Sequence, residues 1–388
     1  MSKGARFACE GSWLQDRASG ARIRRLTSHP SINHPSYFLH SSFLPGDGRL
    51  FFTSYRSGSP QLFLAEYPEG EIVQLTDGPP IHPFSPMLHP AGNQILFARV
   101  SSLSALNLET LEETTIIDIP RVQFGEPSIS PDGAWLTAAY RMGDERGLAV
   151  GQSDGSGWRR IPFPRTVIHP QFHPLEPDWI EFAADPAPRM HRIRRDGSGL
   201  ECLYQHDNSE FVVHETFLGG SGHLVFTIWP RALCRMDWTT RQIRTIAEFN
   251  SWHIAPNRAG TAILCDTNHP DTGIHVIEVD TGARRLICRS ESSNRGSQWR
   301  KSCYALAEDF AAARAGQGKE LSWMEADGDT VYGPQYTHPH PSWSNDEKKI
   351  AFASDRSGFA QVYVAELNAT ASGARDRESP AHHPAHKT

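Results

Sequence analysis

One phrase occurs near both ends of this 388-residue chain, and it limits what the chain can fold into more than any other feature. Phe43-Leu-Pro-Gly-Asp-Gly-Arg-Leu-Phe-Phe-Thr-Ser-Tyr-Arg-Ser-Gly runs into the alternating Gln61-Leu-Phe-Leu-Ala-Glu. Trp343-Ser-Asn-Asp-Glu-Lys-Lys-Ile-Ala-Phe-Ala-Ser-Asp-Arg-Ser-Gly runs into Gln361-Val-Tyr-Val-Ala-Glu. Each copy is a polar turn, an apolar run of β-forming residues, a second turn and an alternating strand. Weaker copies lie between them, anchored on Phe97, Ala138, Phe182, Phe226 and Cys265, so that from Phe52 the steps are 45, 41, 44, 44 and 39 residues. The sixth step, to Phe352, is 87 residues. It carries an insertion over about 288–335 with one helix-like stretch, Tyr304-Ala-Leu-Ala-Glu-Asp-Phe-Ala-Ala-Ala-Arg.

Seven units of this length predict an all-β fold: a seven-bladed β-propeller with four-stranded antiparallel blades and one insertion. A quotient of about 150 residues per domain would have divided the chain into two or three; the repeat makes residues 1–368 a single ring. Residues 369–388 lack apolar content and are expected to stay disordered. The 31 glycines and 28 prolines are spread along the chain, as many short strands joined by turns require. The Ser-Pro-Asp-Gly and Ser-Asp-Arg-Ser-Gly turns resemble the blades of translocation-type propellers, a likeness that bears on fold alone.

Composition excludes several classes. No run approaches 18 apolar residues, so no membrane span is expected, and the first residues lack the apolar stretch of a signal peptide. The expected location is cytoplasmic. Cys9, Cys202, Cys234, Cys265, Cys288 and Cys303 form no Cys-x-x-Cys and read as free thiols. A net charge of −6 without a basic block argues against nucleic acid.

Histidine carries the chemistry. There are 19, and ten stand directly before proline, most of which read as punctuation of blade turns. In Gln335-Tyr-Thr-His338-Pro-His340-Pro-Ser, residues two apart in an extended segment point the same way, so His338 and His340 aim two imidazoles at one point. His253, just before the turn that opens the preceding unit's apolar strand, is a third, because equivalent blade positions converge on the axis. Gln335 adds a carbonyl oxygen. A single such histidine is better explained as a turn cap; the pair together with His253 is better explained as a ligand set. Three imidazoles and an amide oxygen leave positions open and suit Mn²⁺ or another divalent ion, with zinc and iron left open by ligand type alone.

The stretch Gln335-x-x-His338-Pro-His340-Pro-Ser, with Ser354-Asp355 and a closing Tyr363-Val-Ala strand, resembles the oligogalacturonate lyases, cytoplasmic seven-bladed propeller enzymes of pectin breakdown. Further matches fall in order: His34 with Tyr37-Phe38, Arg189-Met190, and His214-Glu215. The resemblance implies metal ligands His253, Gln335, His338 and His340, with His214 as base and Arg189 as assisting arginine. It implies β-elimination on short oligogalacturonates or related uronate oligosaccharides, in which a bound cation neutralises the uronate carboxylate and a histidine removes the C5 proton. His34, His82, His169 and His173 are additional candidates for lining the channel and contacting substrate. The chain departs from the family between His169-Pro170 and Arg189, where Phe182-Ala-Ala-Asp-Pro-Ala-Pro replaces a His-Glu-Gly-Pro-His-like segment. The alternative function is a non-catalytic translocation-type propeller that binds a protein or peptide. A peptidase accessory role fails for lack of a hydrolase region.

Overall fold

The computed structural model describes residues 2–268, 270–293 and 337–367. Gln335, the helix-like stretch of the insertion and the tail from 368 onward lie outside the described residues. What is described is the expected ring: seven antiparallel sheets, each running outward from a first strand at the axis. Those first strands are Asn33–His34, Met87–Leu88, Gln123–Ile129, Thr166–Phe172, Phe211–Phe217, Ile254–Pro256 and Ser342–Trp343. Among the described residues no helix is long and apolar enough to cross a membrane, and Cys9, Cys202, Cys234, Cys265 and Cys288 are unbridged.

Two blades have five strands rather than the expected four. The seventh takes Arg22–Arg25 and Ser12–Gln15 from the N-terminus onto its Gln361–Glu366 strand, with Ile23 opposite Ala365 and Arg25 opposite Tyr363. The first blade takes Arg6–Phe7 on its outer edge, against Ile72–Gln74. The N-terminal segment thus closes the ring between its last blade and its first. Glu10 in the connecting stretch accepts two hydrogen bonds from Arg56 of the first blade, at 2.6 and 3.3 Å. N-terminal strands thus complete a sheet with the C-terminal strand Gln361–Glu366, so the ring is closed by backbone pairing between the two ends of the chain.

The core is divided among the blade interfaces rather than gathered in one place. Phe52, Phe63 and Leu26 pack with Val362 and Val364 between the first and seventh blades. Phe182 and Ile180 pack with Val150 and Leu148 between the third and fourth. Alternation along each strand supplies one apolar face to each neighbour. The five residues Gly151-Gln-Ser-Asp-Gly155 match the Gly-x-Ser-x-Gly pattern of a nucleophile elbow. Here they form the turn closing a hairpin of the third blade, and Ser153 Oγ donates to the Gly133 carbonyl at 2.7 Å.

Most important for function, the first strands are interrupted at one recurring place. In the fourth blade Ile168 pairs with Ala183 and Gln171 with Glu181, leaving His169 and Pro170 opposite Phe182. In the fifth, Val213 pairs with Thr227 and Thr216 with Val225, leaving His214 and Glu215 opposite Phe226. In the third, Gly125 and Glu126 stand opposite Ala139, one residue beyond the repeat anchor Ala138. In the seventh, Ala353 N donates to the Pro339 carbonyl and Ser342 pairs with Ala351, leaving His340 and Pro341 opposite Phe352. The first and second blades widen the break to residues 35–41 opposite Phe52 and 83–86 opposite Phe97. Pro35, Pro83, Pro170 and Pro341 sit in these breaks because proline has no N–H to give the ladder. Four of the His-Pro pairs therefore mark interruptions beside the channel, not blade turns as expected; His89-Pro90 does sit in a turn, where Ala91 N donates to His89 Nδ1.

Deleting residues 2–25 should remove two strands from the seventh blade and expose the face that covers Ile23, whose burial is worth about 1.5–3 kcal/mol alone. The truncated protein is expected to lose its cooperative thermal transition in circular dichroism; an unchanged melting curve would contradict this account of ring closure.

Candidate metal and catalytic site

The breaks present side chains to the axis in an unusual backbone conformation. His169, His214 and His340 have φ of 53°, 56° and 44°. Left-handed geometry costs a non-glycine residue on the order of 1–3 kcal/mol and persists only where the surroundings hold it. The outcome is a set of imidazoles from four blades facing one space.

His253, His338 and His340 form the cluster expected from sequence: one ring nitrogen from each lies within 4.8 Å of the others, and all three residues are buried. The His253 and His340 rings are 4.0 Å apart, centroid to centroid. Asp266, fully buried on the second strand's inner end, accepts the His253 backbone N–H and its Nδ1 proton, both at 2.7 Å. Its carboxylate also accepts the backbone N–H of His340. That carboxylate–imidazole pair turns Nε2 of His253 toward the cluster, as supporting carboxylates do in metal centres. Nε2 of His340 is buried with no hydrogen-bond partner among the described residues. Burial pushes Asp266 well above the usual carboxylate range and His340 well below the usual imidazole range. A buried cluster of neutral nitrogens with an orphaned donor atom fits a divalent cation. The indole N–H of Trp252 approaches Nδ1 of His338 at 3.3 Å, so ligation by His338 displaces either that contact or the Nε2 proton.

His214 lies beside the cluster, 4.5 Å from the His253 ring and 4.6 Å from Trp252. Burial, reinforced by the positive fields of His253, His169 and Arg189, lowers its pKa well below the ordinary value, and its Nδ1 has no partner among the described residues. Arg189 is buried rather than free. It donates from Nε to Glu215 at 2.8 Å and from Nη1 to Asp185 at 2.7 Å. Asp185 comes from the segment in which the chain departs from the family pattern. Glu215 in turn accepts from Nδ1 of His169 at 2.9 Å, and the other nitrogen of His169 meets the Tyr37 hydroxyl at 2.8 Å.

Tyr37 and Phe38 come from the widened break of the first blade and fill the middle of the channel. The Tyr37 ring touches Phe84, His169 and His340; Phe38 touches His169, His214 and His253. Of the additional candidates, His34 stands in this wall against Phe84 at 4.7 Å, its Nδ1 donating to the Pro35 carbonyl. His82 is buried between His34 and Glu126, and neither of its nitrogens has a partner among the described residues. His173 is elsewhere: its ring packs on Phe217 and Trp238 and its nitrogens serve the turn at Leu175, Glu176 and Gly222, so it is structural. Gln335, the expected fourth ligand, lies outside the described residues. Sequence reasoning missed Asp266, Asp185 and the part Glu215 plays; an acid ending the apolar run Ala262–Cys265 was the one signal for Asp266.

Fold and site together define a β-propeller whose axis carries a buried cluster of three histidines able to hold a metal ion. Residues 1–138 match a protein family described as oligogalacturonate lyase. The oligogalacturonate lyase of Dickeya dadantii is 23% identical over 406 residues, covering 95% of this chain and 98% of that one. The oligogalacturonide lyase of Pectobacterium atrosepticum is also 23% identical, with the same coverage. A solved structure described as oligogalacturonate lyase in complex with manganese superimposes with a TM-score of 0.79 at 21% identity, over 95% of this chain and 99% of that one. The chain is similar to the oligogalacturonate lyases along nearly its whole length, as the motifs around His338 and His340 implied.

Two results are expected. Asp266→Asn, which keeps an acceptor for the backbone N–H groups, should weaken Mn²⁺ binding about 10- to 100-fold by titration calorimetry; unchanged affinity would remove Asp266 from the metal centre. His34 is fully buried, and burial lowers its pKa from 6.5 to about 4. Its folded value lies below its unfolded one, so the stability gained by keeping it neutral is present above pH 6.5 and is lost as pH falls toward about 4. The midpoint of thermal unfolding should fall over that window less steeply in His34→Gln than in the parent protein.

Proposed function

We propose that this protein is a metal-dependent lyase that cleaves short oligogalacturonates, or closely related uronate oligosaccharides, by β-elimination. The observation that carries the reading is the convergence of His253, His338 and His340 beside His214, whose Nδ1 has no hydrogen-bond partner among the described residues. The manganese in the solved relative and the donor set here favour Mn²⁺, held by these three histidines with Gln335 as a fourth ligand. When bound, the cation would neutralise the uronate carboxylate and so acidify the proton on the adjacent C5.

His214 takes that proton. Its burial keeps the imidazole unprotonated, and a bound carboxylate anion raises its basicity again by opposing the positive fields that depress it. The aromatic floor of Tyr37, Phe38 and Phe84 excludes water from one side, which strengthens every charge interaction in the site. Arg189, with both Glu215 and Asp185 on its guanidinium, acts by fixing Glu215 rather than as a free clamp on substrate. The negative overall charge makes local attraction by the metal centre a requirement for an anionic sugar.

The test is the ultraviolet absorbance of the 4,5-unsaturated uronate on digalacturonate, with Mn²⁺ added or chelated. His214→Ala should lower kcat by about 10²-fold or more while metal stays bound, whereas His338→Ala should lose both metal and turnover. Absence of product from every uronate oligomer in the metal-loaded protein would refute the reading.

A further inference from the structure

β-Elimination needs two proton movements, and His214 accounts for one. The C5–H bond breaks and its electron pair forms the C4=C5 double bond; the C4–O4 bond breaks and its pair stays on O4, which must gain a proton to leave as a sugar hydroxyl. C4 and C5 are bonded neighbours, so the group serving O4 has to stand a few ångströms from His214 with a proton to give.

His169 is the counterpart of His214 on the adjacent blade. It occupies the same position in the same strand interruption, with the same left-handed backbone, and the two rings stack with centroids 6.2 Å apart. What distinguishes them is what each Nδ1 meets. That of His214 meets nothing among the described residues, whereas that of His169 donates to Glu215. Burial works against ionisation of Glu215, but Arg189 and His169 overcome it and hold its carboxyl below the ordinary range. The two imidazoles thus face one space from adjacent blades, one with a carboxylate on its Nδ1 and the other without. The groups facing His169 are Glu215, Arg189 at 3.5 Å, His214 and the Tyr37 hydroxyl at Nε2.

We propose that His169 supplies the proton for the leaving O4 oxygen through the hydroxyl of Tyr37, with Glu215, on Nδ1, as the residue that orients the His169 ring toward Tyr37. This rests on the lyase reading above. In the step, Tyr37 passes its hydroxyl proton to O4 as C4–O4 breaks, and Nε2–H of His169 replaces it. The cycle leaves His214 protonated and His169 neutral, and exchange with water restores both. Tyr37 is the residue that touches substrate; His169 and Glu215 act through it. The relay explains why a tyrosine hydroxyl, a histidine and a glutamate from the first, fourth and fifth blades are joined by hydrogen bonds of 2.8 and 2.9 Å in the middle of the channel.

A departing fluoride needs no proton, so leaving-group dependence isolates the relay. Digalacturonate and a galacturonate carrying fluorine at C4 are compared on the Mn²⁺-loaded full-length protein, both followed by the absorbance of the unsaturated product. Tyr37→Phe and His169→Gln should lose about 10²-fold or more in kcat on digalacturonate, yet stay within a few-fold of the parent on the fluoride, with Mn²⁺ affinity unchanged. His214→Ala should lose both activities alike. Equal losses on both substrates in Tyr37→Phe would overturn the relay, and that variant decides the matter if His169→Gln fails to fold, because it keeps the ring that fills the channel. A parent protein inert on both substrates would instead overturn the lyase reading itself.

Discussion

The site depends on a failure of pairing. In six of the seven blades the first strand begins to pair with the second and then, opposite Phe52, Phe97, Ala139, Phe182, Phe226 or Phe352, loses register and resumes, whereas the sixth pairs without a break over Ile254–Pro256. An uninterrupted strand would turn alternate side chains into the blade interfaces, where Phe182 and Phe226 already sit. The extra residues in each break have no partner across the ladder and point to the axis instead. Interfaces outside and a polar axis inside are therefore built from the same strands, and the strain at His169, His214 and His340 is borne by the packed blades around them.

Charge at the axis is arranged in two separate compartments. Beside the three clustered histidines the acid is Asp266, tying His253 and His340 together from the sixth blade. Around Arg189 the negative groups are Asp185 and Glu215, so this buried cation is more than balanced and the excess is shared with His169. His214 lies between, its Nδ1 without a hydrogen-bond partner among the described residues. An arginine so committed is worth little as a clamp for an incoming carboxylate, since the ion pairs it would have to give up are buried ones whose loss leaves uncompensated charge. Asp185, which ends the fourth blade's second strand just before a cis proline, reaches Arg189, and that contact commits it.

Much of the architecture was legible. The steps between Phe52, Phe97, Phe182 and Phe226 located the second strands because an apolar run between two turns has few other solutions. His338 and His340 were legible as ligands because spacing by two along an extended chain fixes direction, and the structure brings them together with His253. The extra strands from residues 6–25 were not legible, since they belong to blades completed by residues far away in sequence. His173 was misjudged with the other His-Pro pairs: Pro174 follows it as Pro170 follows His169, but one lies in a turn and the other in a break, and dipeptide composition is the same in both.

The sequence by itself determined the number of blades and the three clustered imidazoles, because repeats and two-residue periodicity act locally; the interruptions, four of them at His-Pro pairs that read as turns, emerged only in the fold. Only the tertiary structure decided which histidines serve the site and in which protonation state. Two residues with the same left-handed backbone, His169 and His214, differ because Glu215 meets Nδ1 of one while Nδ1 of the other has no hydrogen-bond partner among the described residues, and Arg189 is spoken for because Asp185 reaches it. Those relations join the fourth and fifth blades, and electrostatic environment is set by neighbours in space.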